Sequence, residues 1–310
     1  MLEKHATVKL AGSTTEEGLL AEVGDVDVIL VVYAKITKRI IEAARRLKGI
    51  VRYGVGVDNV DVRAVTERGI YVANVPDYCT GAVAEHTFAL LLALARRIVL
   101  ADRTVKTASW GVWTQQPAEL MGTELEGKVL GLIGMGKISC AVARRAKTFG
   151  MRVMAYDPYL GEDRARLLGV ELVDLDTLLQ GSDFVSIHVP LTSETLGMIG
   201  ELELRKMKRT AYLINTSRGP VVDEGALYKA LREGWIAGAA LDVYEKEPPD
   251  RDNPLFKLDN VVLTPHVAWY TEEALKRLKR SVAEEAIRML EGMPPKNLVN
   301  REVLLGKKAP

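Results

Sequence analysis

The chain has 310 residues, of which 48% are apolar and 27% charged, and 42 basic against 41 acidic side chains leave a formal charge of +1. At about two domains' worth of length, it buries enough apolar surface to need no disulfide or metal staple, and it is neither hydrophobe-poor nor highly charged enough to be disordered. Balanced charge without a Lys/Arg block excludes the electrostatic footprint of a nucleic-acid binder and a polybasic membrane anchor.

The N-terminal stretch carries Glu3 and no apolar run, so it does not read as a signal peptide. The longest apolar run, 88–95, stops at Arg96 and Arg97, too short to span a bilayer. Cys79 and Cys140 form no CxxC pair and read as small buried side chains of a reducing compartment. A cytoplasmic protein is expected.

Short apolar runs alternate with amphipathic stretches, the pattern of an α/β protein with parallel sheets. In chain order, residues 26–32 read as a buried strand, 37–47 as a helix capped by Thr37, 50–53 and 70–72 as strands, and 80–100 as one long helix. The stretch 107–127, with Trp110, Gly111, Trp113, Pro117 and Gly122, reads as a linker or oligomer-contact arm. The rhythm then restarts, with a strand at 128–133, a helix at 137–149 and a strand at 151–156. Strands are expected at 183–189, 211–215, 236–241 and 261–263, and a last helix at 271–290. Strands and helices in this alternation make a doubly wound sheet.

The strand at 128–133 runs into Gly134-Met135-Gly136-Lys137-Ile138-Ser139. Gly134 permits the tight turn, Gly136 lets a pyrophosphate approach the backbone, and the helix that follows offers unpaired N–H groups and a partial positive charge. Ser139 stands where the GxGxxG fingerprint has its third glycine. The next strand ends at Asp157, 21 residues beyond Gly136. A carboxylate there accepts from both ribose hydroxyls and repels a 2′-phosphate, which favours NAD over NADP.

In an open parallel sheet, ligands bind beyond the carboxyl ends of the strands. Arg218, Glu247 and His266 all follow strand ends, and His188 falls just before Pro190. Histidine exchanges protons near neutral pH. A glutamate bonded to it stabilises the imidazolium and fixes the ring. Arginine offers a planar fork for a carboxylate. His5 and His86 lack such a context, and His86 reads as structural.

Several segments in one order carry a resemblance: Arg52-Tyr53-Gly54-Val55-Gly56-Val57-Asp58-Asn59, the Gly134 turn, Tyr156-Asp157-Pro158, Asn215-Thr216-Ser217-Arg218-Gly219, Leu241-Asp242-Val243 with Glu247-Pro248, and Thr264-Pro265-His266. Over nearly its full length the chain resembles the D-isomer-specific 2-hydroxyacid dehydrogenases. The resemblance implies two doubly wound parallel-sheet domains, a Rossmann NAD-binding domain at 99–282 inserted into a flavodoxin-like substrate domain made of 1–98 and 283–310. It implies a catalytic set of Arg218, Glu247 and His266. It implies cofactor contacts at Gly134, Gly136, Lys137, Ile138, Asp157, Val189, Thr195, Thr216, Ser217, Arg218, Asp242, His266 and Ala268, with Asp242 on the nicotinamide carboxamide. Substrate contacts fall on Arg52, Val55, Gly56, Arg218 and His266. NAD is the implied cofactor, a homodimer the implied assembly, and no metal is called for.

Arg52 resembles the arginine that phosphoglycerate dehydrogenases place near the substrate phosphate, although no regulatory domain is expected after residue 310. Segments 74–79 and 269–273 resemble the branch related to C-terminal-binding-protein corepressors, and glyoxylate and hydroxypyruvate reductases share much of the pattern. The implied reaction is hydride transfer between a nicotinamide and a small D-2-hydroxy or 2-keto acid, with 3-phosphoglycerate, glyoxylate and hydroxypyruvate as candidates. Two alternatives stay open: an NAD-sensing interaction protein, and a dehydrogenase acting on an oxyanion such as phosphite.

Overall fold

A computed structural model describes residues 1–108 and 118–306. Its strands are β1 (Val28–Val31), β2 (Gly49–Arg52), β3 (Tyr71–Ala73), β4 (Val129–Ile133), β5 (Arg152–Tyr156), β6 (Glu171–Leu172), β7 (Phe184–Ile187), β8 (Tyr212–Asn215), β9 (Gly238–Leu241) and β10 (Val261–Leu263). Its α-helices are α1 (Glu16–Glu22), α2 (Lys38–Ala43), α3 (Val62–Glu67), α4 (Thr80–Ala95), α5 (Ile98–Ala108), α6 (Lys137–Thr148), α7 (Glu162–Leu168), α8 (Leu175–Gly181), α9 (Glu201–Lys206), α10 (Glu224–Glu233), α11 (Glu272–Leu290) and α12 (Glu302–Gly306). Among the described residues no helix is long and apolar enough to cross a membrane.

The chain divides into two compact units, 1–79 with 270–310, and 80–269. The second is thus inserted into the first. The expected boundaries at 98/99 and 282/283 are corrected at both ends, for a packing reason. α4 lies against α6, β8, β9 and β10, so its apolar side chains Phe88, Leu91 and Leu94 belong to the core of the second unit. α11 packs on β1 and β2. Its N-cap Thr271, whose hydroxyl accepts from the Ala274 N–H, starts the helix inside the first unit.

The first unit holds a parallel three-stranded sheet in the order β1-β2-β3. Its core joins Val31, Ile50 and Val72 from the strands to Ile40, Ile41 and Val65 from the helices. The buried Asn300 ties the C-terminal segment to this sheet: its side chain accepts from the Val72 N–H and donates to the Ile70 carbonyl, both at 2.8 Å.

The second unit holds a seven-stranded parallel sheet in the order β10-β9-β8-β7-β4-β5-β6. Strands buried on both faces read as continuous apolar runs, since alternate side chains feed two different cores. Leu130, Leu132, Tyr212 and Ile214 face the layer of α4, α6 and α7. Ile133, Val185, Leu213 and Leu241 face α8, α9 and α10. The order reverses between β4 and β7, and the crevice beyond the carboxyl ends at such a switch point is where ligands bind.

The expected single helix at 80–100 is two helices. The Ala95 carbonyl accepts the Thr123 N–H at 2.7 Å instead of an amide one turn on, and Arg97 turns the chain with φ 54°. The expected contact arm begins as the end of α5, and its stretch 109–117, with Trp110, Gly111, Trp113 and Pro117, lies outside the described residues.

Candidate active site

The glycine turn after β4 is built for close approach. Gly134 has φ 89°, where a side chain is strained, and a Cβ there would stand 2.8 Å from Val189 Cγ1 on the loop after β7. A Cβ on Gly136 would instead point into open space, at the N-cap of α6. Among the described residues, the Gly136 and Ile138 amides donate to no acceptor. This open cradle at a helix N-terminus fits a dinucleotide pyrophosphate. Ser139 fills the third-glycine position without crowding it, because its hydroxyl folds back onto the Gly136 carbonyl at 3.0 Å.

Asp157 closes the turn from β5. One carboxylate oxygen accepts the Met135 N–H at 2.8 Å and the other the Tyr159 N–H at 2.9 Å. The charge is thereby fixed beside the turn, with lone pairs left for ribose hydroxyls. Thr195 folds into its own loop, donating to the Pro190 carbonyl at 2.6 Å and accepting the Thr192 N–H at 2.8 Å. His188 sits just past β7 with Nε2 2.9 Å from the Ser186 hydroxyl, and burial pushes its ring down to about 4. It is therefore neutral near neutral pH.

The ends of β8, β9 and β10 carry the remaining groups. Asn215, buried at the end of β8, shapes the next turn: its amide accepts the Ser217 N–H at 3.0 Å and donates to the Arg218 carbonyl at 2.9 Å. Thr216 points inward, hydroxyl to hydroxyl with Thr87 of α4 at 2.9 Å. Arg218 donates to the Ser217 carbonyl at 2.7 Å. Gly219 is required because a Cβ there would collide with the Tyr244 carbonyl. That contact seats the arginine turn against the backbone leading to Glu247.

Glu247 Oε2 lies 2.7 Å from His266 Nδ1, and Oε1 accepts the Tyr244 N–H at 3.1 Å. Burial pushes the Glu247 carboxyl up, but the hydrogen bond and charge of His266, the Tyr244 N–H and the Arg218 charge outweigh it and hold it below its ordinary value. With Nδ1 tied to a carboxylate, Nε2 is the ring nitrogen left for a substrate. His266 has φ 55°, a conformation that a non-glycine residue keeps only where its surroundings enforce it.

Asp242 supplies part of that enforcement. It is 0% exposed. Its Oδ1 accepts from the Thr264 hydroxyl at 2.6 Å and the Val267 N–H at 2.9 Å, and Oδ2 accepts the Ala268 N–H at 2.8 Å. The Tyr244 hydroxyl donates to the Thr264 carbonyl at 3.1 Å. Burial, with the Asp242, Glu224 and Glu247 charges, pushes that phenol up to about 12.

The structure thus groups Gly134, Gly136, Lys137, Ile138, Asp157 and Val189 at the ends of β4, β5 and β7, and Arg218, Asp242, Glu247 and His266 at the ends of β8 to β10. Arg52, the last residue of β2, and Val55 and Gly56 just beyond it lie in the first unit. There the Val55 and Gly56 amides donate to no acceptor among the described residues, and the Asn74 side chain fixes the Val55 carbonyl at 2.7 Å. Sequence reasoning missed the supporting roles of Asn215 and Tyr244. An Asn at a strand end before a Thr-Ser turn is a local signal for Asn215; nothing local marks Tyr244.

Residues 88–268 match the family model for the D-isomer specific 2-hydroxyacid dehydrogenase, NAD binding domain. A glyoxylate reductase of Korarchaeum cryptofilum is 54% identical over 270 residues, 87% of this chain and 81% of that protein. A D-3-phosphoglycerate dehydrogenase of Archaeoglobus fulgidus is 48% identical over 301 residues, 97% of this chain but only 56% of that longer protein. Among solved structures, D-lactate dehydrogenase from Aquifex aeolicus, complexed with NAD and lactic acid, superposes with a TM-score of 0.82 at 35% identity, covering 93% of this chain and 88% of that one.

Proposed function

The chain belongs to the D-isomer specific 2-hydroxyacid dehydrogenase family, and we propose that within it Arg218, Glu247 and His266 carry the interconversion of a small 2-keto acid and its D-2-hydroxy acid. The pairing of His266 Nδ1 with Glu247 at 2.7 Å is the observation that carries this reading. Bound NADH supplies the hydride in reduction, and NAD accepts it in oxidation. His266 Nε2 gives its proton to the substrate carbonyl oxygen in reduction and takes it back in oxidation. Glu247 stabilises the imidazolium and holds the ring. Arg218 binds the carboxylate and polarises the neighbouring carbonyl. In the first unit, the Val55 and Gly56 amides, which meet no acceptor among the described residues, are proposed as anion donors in their own right.

Asp157 selects NAD over NADP in this reading. Arg52 selects substrates with a second anionic group. The structure gives it a guanidinium folded onto the Tyr53 carbonyl, beside the amide-bearing loop. The exposed apolar side chains Ile98, Val99 and Val105 of α5, with Met121, support a homodimer, which light scattering would test. A cytoplasmic setting is proposed on the cysteine usage, Cys79 and Cys140 forming no disulfide among the described residues.

The test is NADH oxidation against glyoxylate, hydroxypyruvate, 3-phosphohydroxypyruvate, pyruvate and a bulky 2-keto acid, with NADPH as control. Turnover of 3-phosphohydroxypyruvate that falls more than glyoxylate turnover in Arg52→Leu supports the role of Arg52. Equal losses overturn it. Full turnover in Arg218→Leu would overturn the catalytic set.

A further inference from the structure

His86 lies on α4, where Ala82, Val83, Ala84, Thr87, Phe88 and Leu90 around it are buried. Its neighbour Glu85 turns to Arg145 on α6, at 2.9 Å. His86 turns the other way. Its Nε2 is 3.0 Å from the Thr264 hydroxyl and 3.6 Å from Asp242 Oδ1. These partners lie 178 and 156 positions along the chain, beyond β10 and β9.

The hydrogen bonds settle which way the protons run. Thr264 has one hydroxyl proton, and at 2.6 Å it goes to Asp242 Oδ1, an oxygen that also accepts the Val267 N–H. The Thr264 oxygen therefore accepts, and His86 Nε2 donates. Asp242 uses its other lone pairs on the Val267 and Ala268 amides. Those two residues directly follow His266, whose left-handed backbone needs holding. A buried carboxylate is costly unless donors compensate it, so each donor in the set helps keep it in place.

We propose that His86 is a positioning residue: through Thr264 it sets the Asp242 carboxylate, and through Asp242 the turn that aims His266. The proposal rests on the reading of His266 as the proton-carrying residue. His86 touches neither substrate nor reacting atoms, and its effect is expected in kcat rather than in cofactor affinity.

The experiment uses the purified full chain with the best substrate of the panel above. The kcat, the NADH Kd by fluorescence and the melting temperature are measured for His86→Leu, His86→Gln, Thr264→Val and the Leu/Val double variant, with His266→Ala as control. His86→Leu should lower kcat about tenfold or more, since small misplacements of catalytic groups cost on that scale, while NADH Kd stays within about threefold. His86→Gln should recover most of the rate, because its amide can still donate towards Thr264. The double variant should be no slower than Thr264→Val, as two residues on one path are not additive. Wild-type kcat in His86→Leu, no recovery in His86→Gln, or additive losses would overturn the proposal. Should His86→Leu not fold, His86→Gln is compared with the shorter His86→Asn, and equal rates overturn it. Independently of activity, imidazole nitrogen NMR should place a proton on His86 Nε2; a ring protonated on Nδ1 alone overturns it. Wild-type turnover in His266→Ala would bring down the reading of His266 itself. An inactive His266→Ala beside an unimpaired His86→Leu brings down the His86 proposal alone.

Discussion

His266 Nδ1 sits 2.7 Å from Glu247 Oε2, although 19 positions and a whole strand separate the two in the chain. The bond commits one ring nitrogen to a carboxylate and leaves the other to exchange a proton with substrate. His266→Ala should lower kcat by ~10²–10⁴-fold, the usual contribution of a positioned acid–base group, with NADH Kd changed little. Glu247→Gln should fall in the same direction, and by less, because a neutral amide still orients the ring but no longer stabilises its charge. Steady-state kinetics with NADH fluorescence titration checks both. A His266→Ala enzyme at full speed refutes the assignment.

His188 carries a pH dependence with a definite sign. Burial lowers its ring to about 4 in the fold, against a reference of about 6.5 in the unfolded chain. Below pH ~6.5 the unfolded state takes up a proton that the folded state refuses, so stability is lost as pH falls from ~6.5 towards ~4. The loss should be about 2 kcal/mol, a full shift of this size being reduced because the residue is partly exposed. His188→Gln should remove that part of the acid destabilisation. Melting temperatures of both proteins between pH 4 and pH 8 decide it: parallel curves sink the prediction.

Asp157 places its charge beside the cofactor turn. Asp157→Ala should weaken NADH binding by about tenfold or more, the loss of charge-assisted hydrogen bonds to the ribose. NADPH binding should be unchanged or improved, because the repulsion of its 2′-phosphate goes too. Kd values for both nucleotides give the answer, and an unaltered NADH/NADPH ratio counts against the ribose assignment.

Gly134 and Gly136 should separate fold from ligand. Gly134→Ala forces a side chain into φ 89° and towards Val189, so it should cost on the order of 1–3 kcal/mol of stability as well as affinity. Gly136→Val has ordinary backbone geometry and open space for its side chain. It should melt like wild type yet bind NADH poorly, because the valine occupies the path of the pyrophosphate. A Gly136→Val protein with wild-type NADH affinity would place the cofactor elsewhere.

The sequence alone determined the features that a few adjacent residues encode. Gly134-Met135-Gly136 before an amphipathic helix, Asp157 at the next strand end, and Arg218, Glu247 and His266 each just past an apolar run are local patterns. Strand and helix periods place them at one edge of a parallel sheet. Only the tertiary structure decided what depends on distant partners. Thr123 takes the Ala95 carbonyl and breaks the long helix in two. The packing of α4 on β8, β9 and β10 moves the domain boundary to residue 80. The contacts of Asp242 with Thr264, Val267 and Ala268 put the buried carboxylate under the histidine turn. His86, a helix residue with no local sign of use, finds its partner 178 positions away. Hydrogen bonds and packing act through space, and chain separation carries no record of them until the fold has closed.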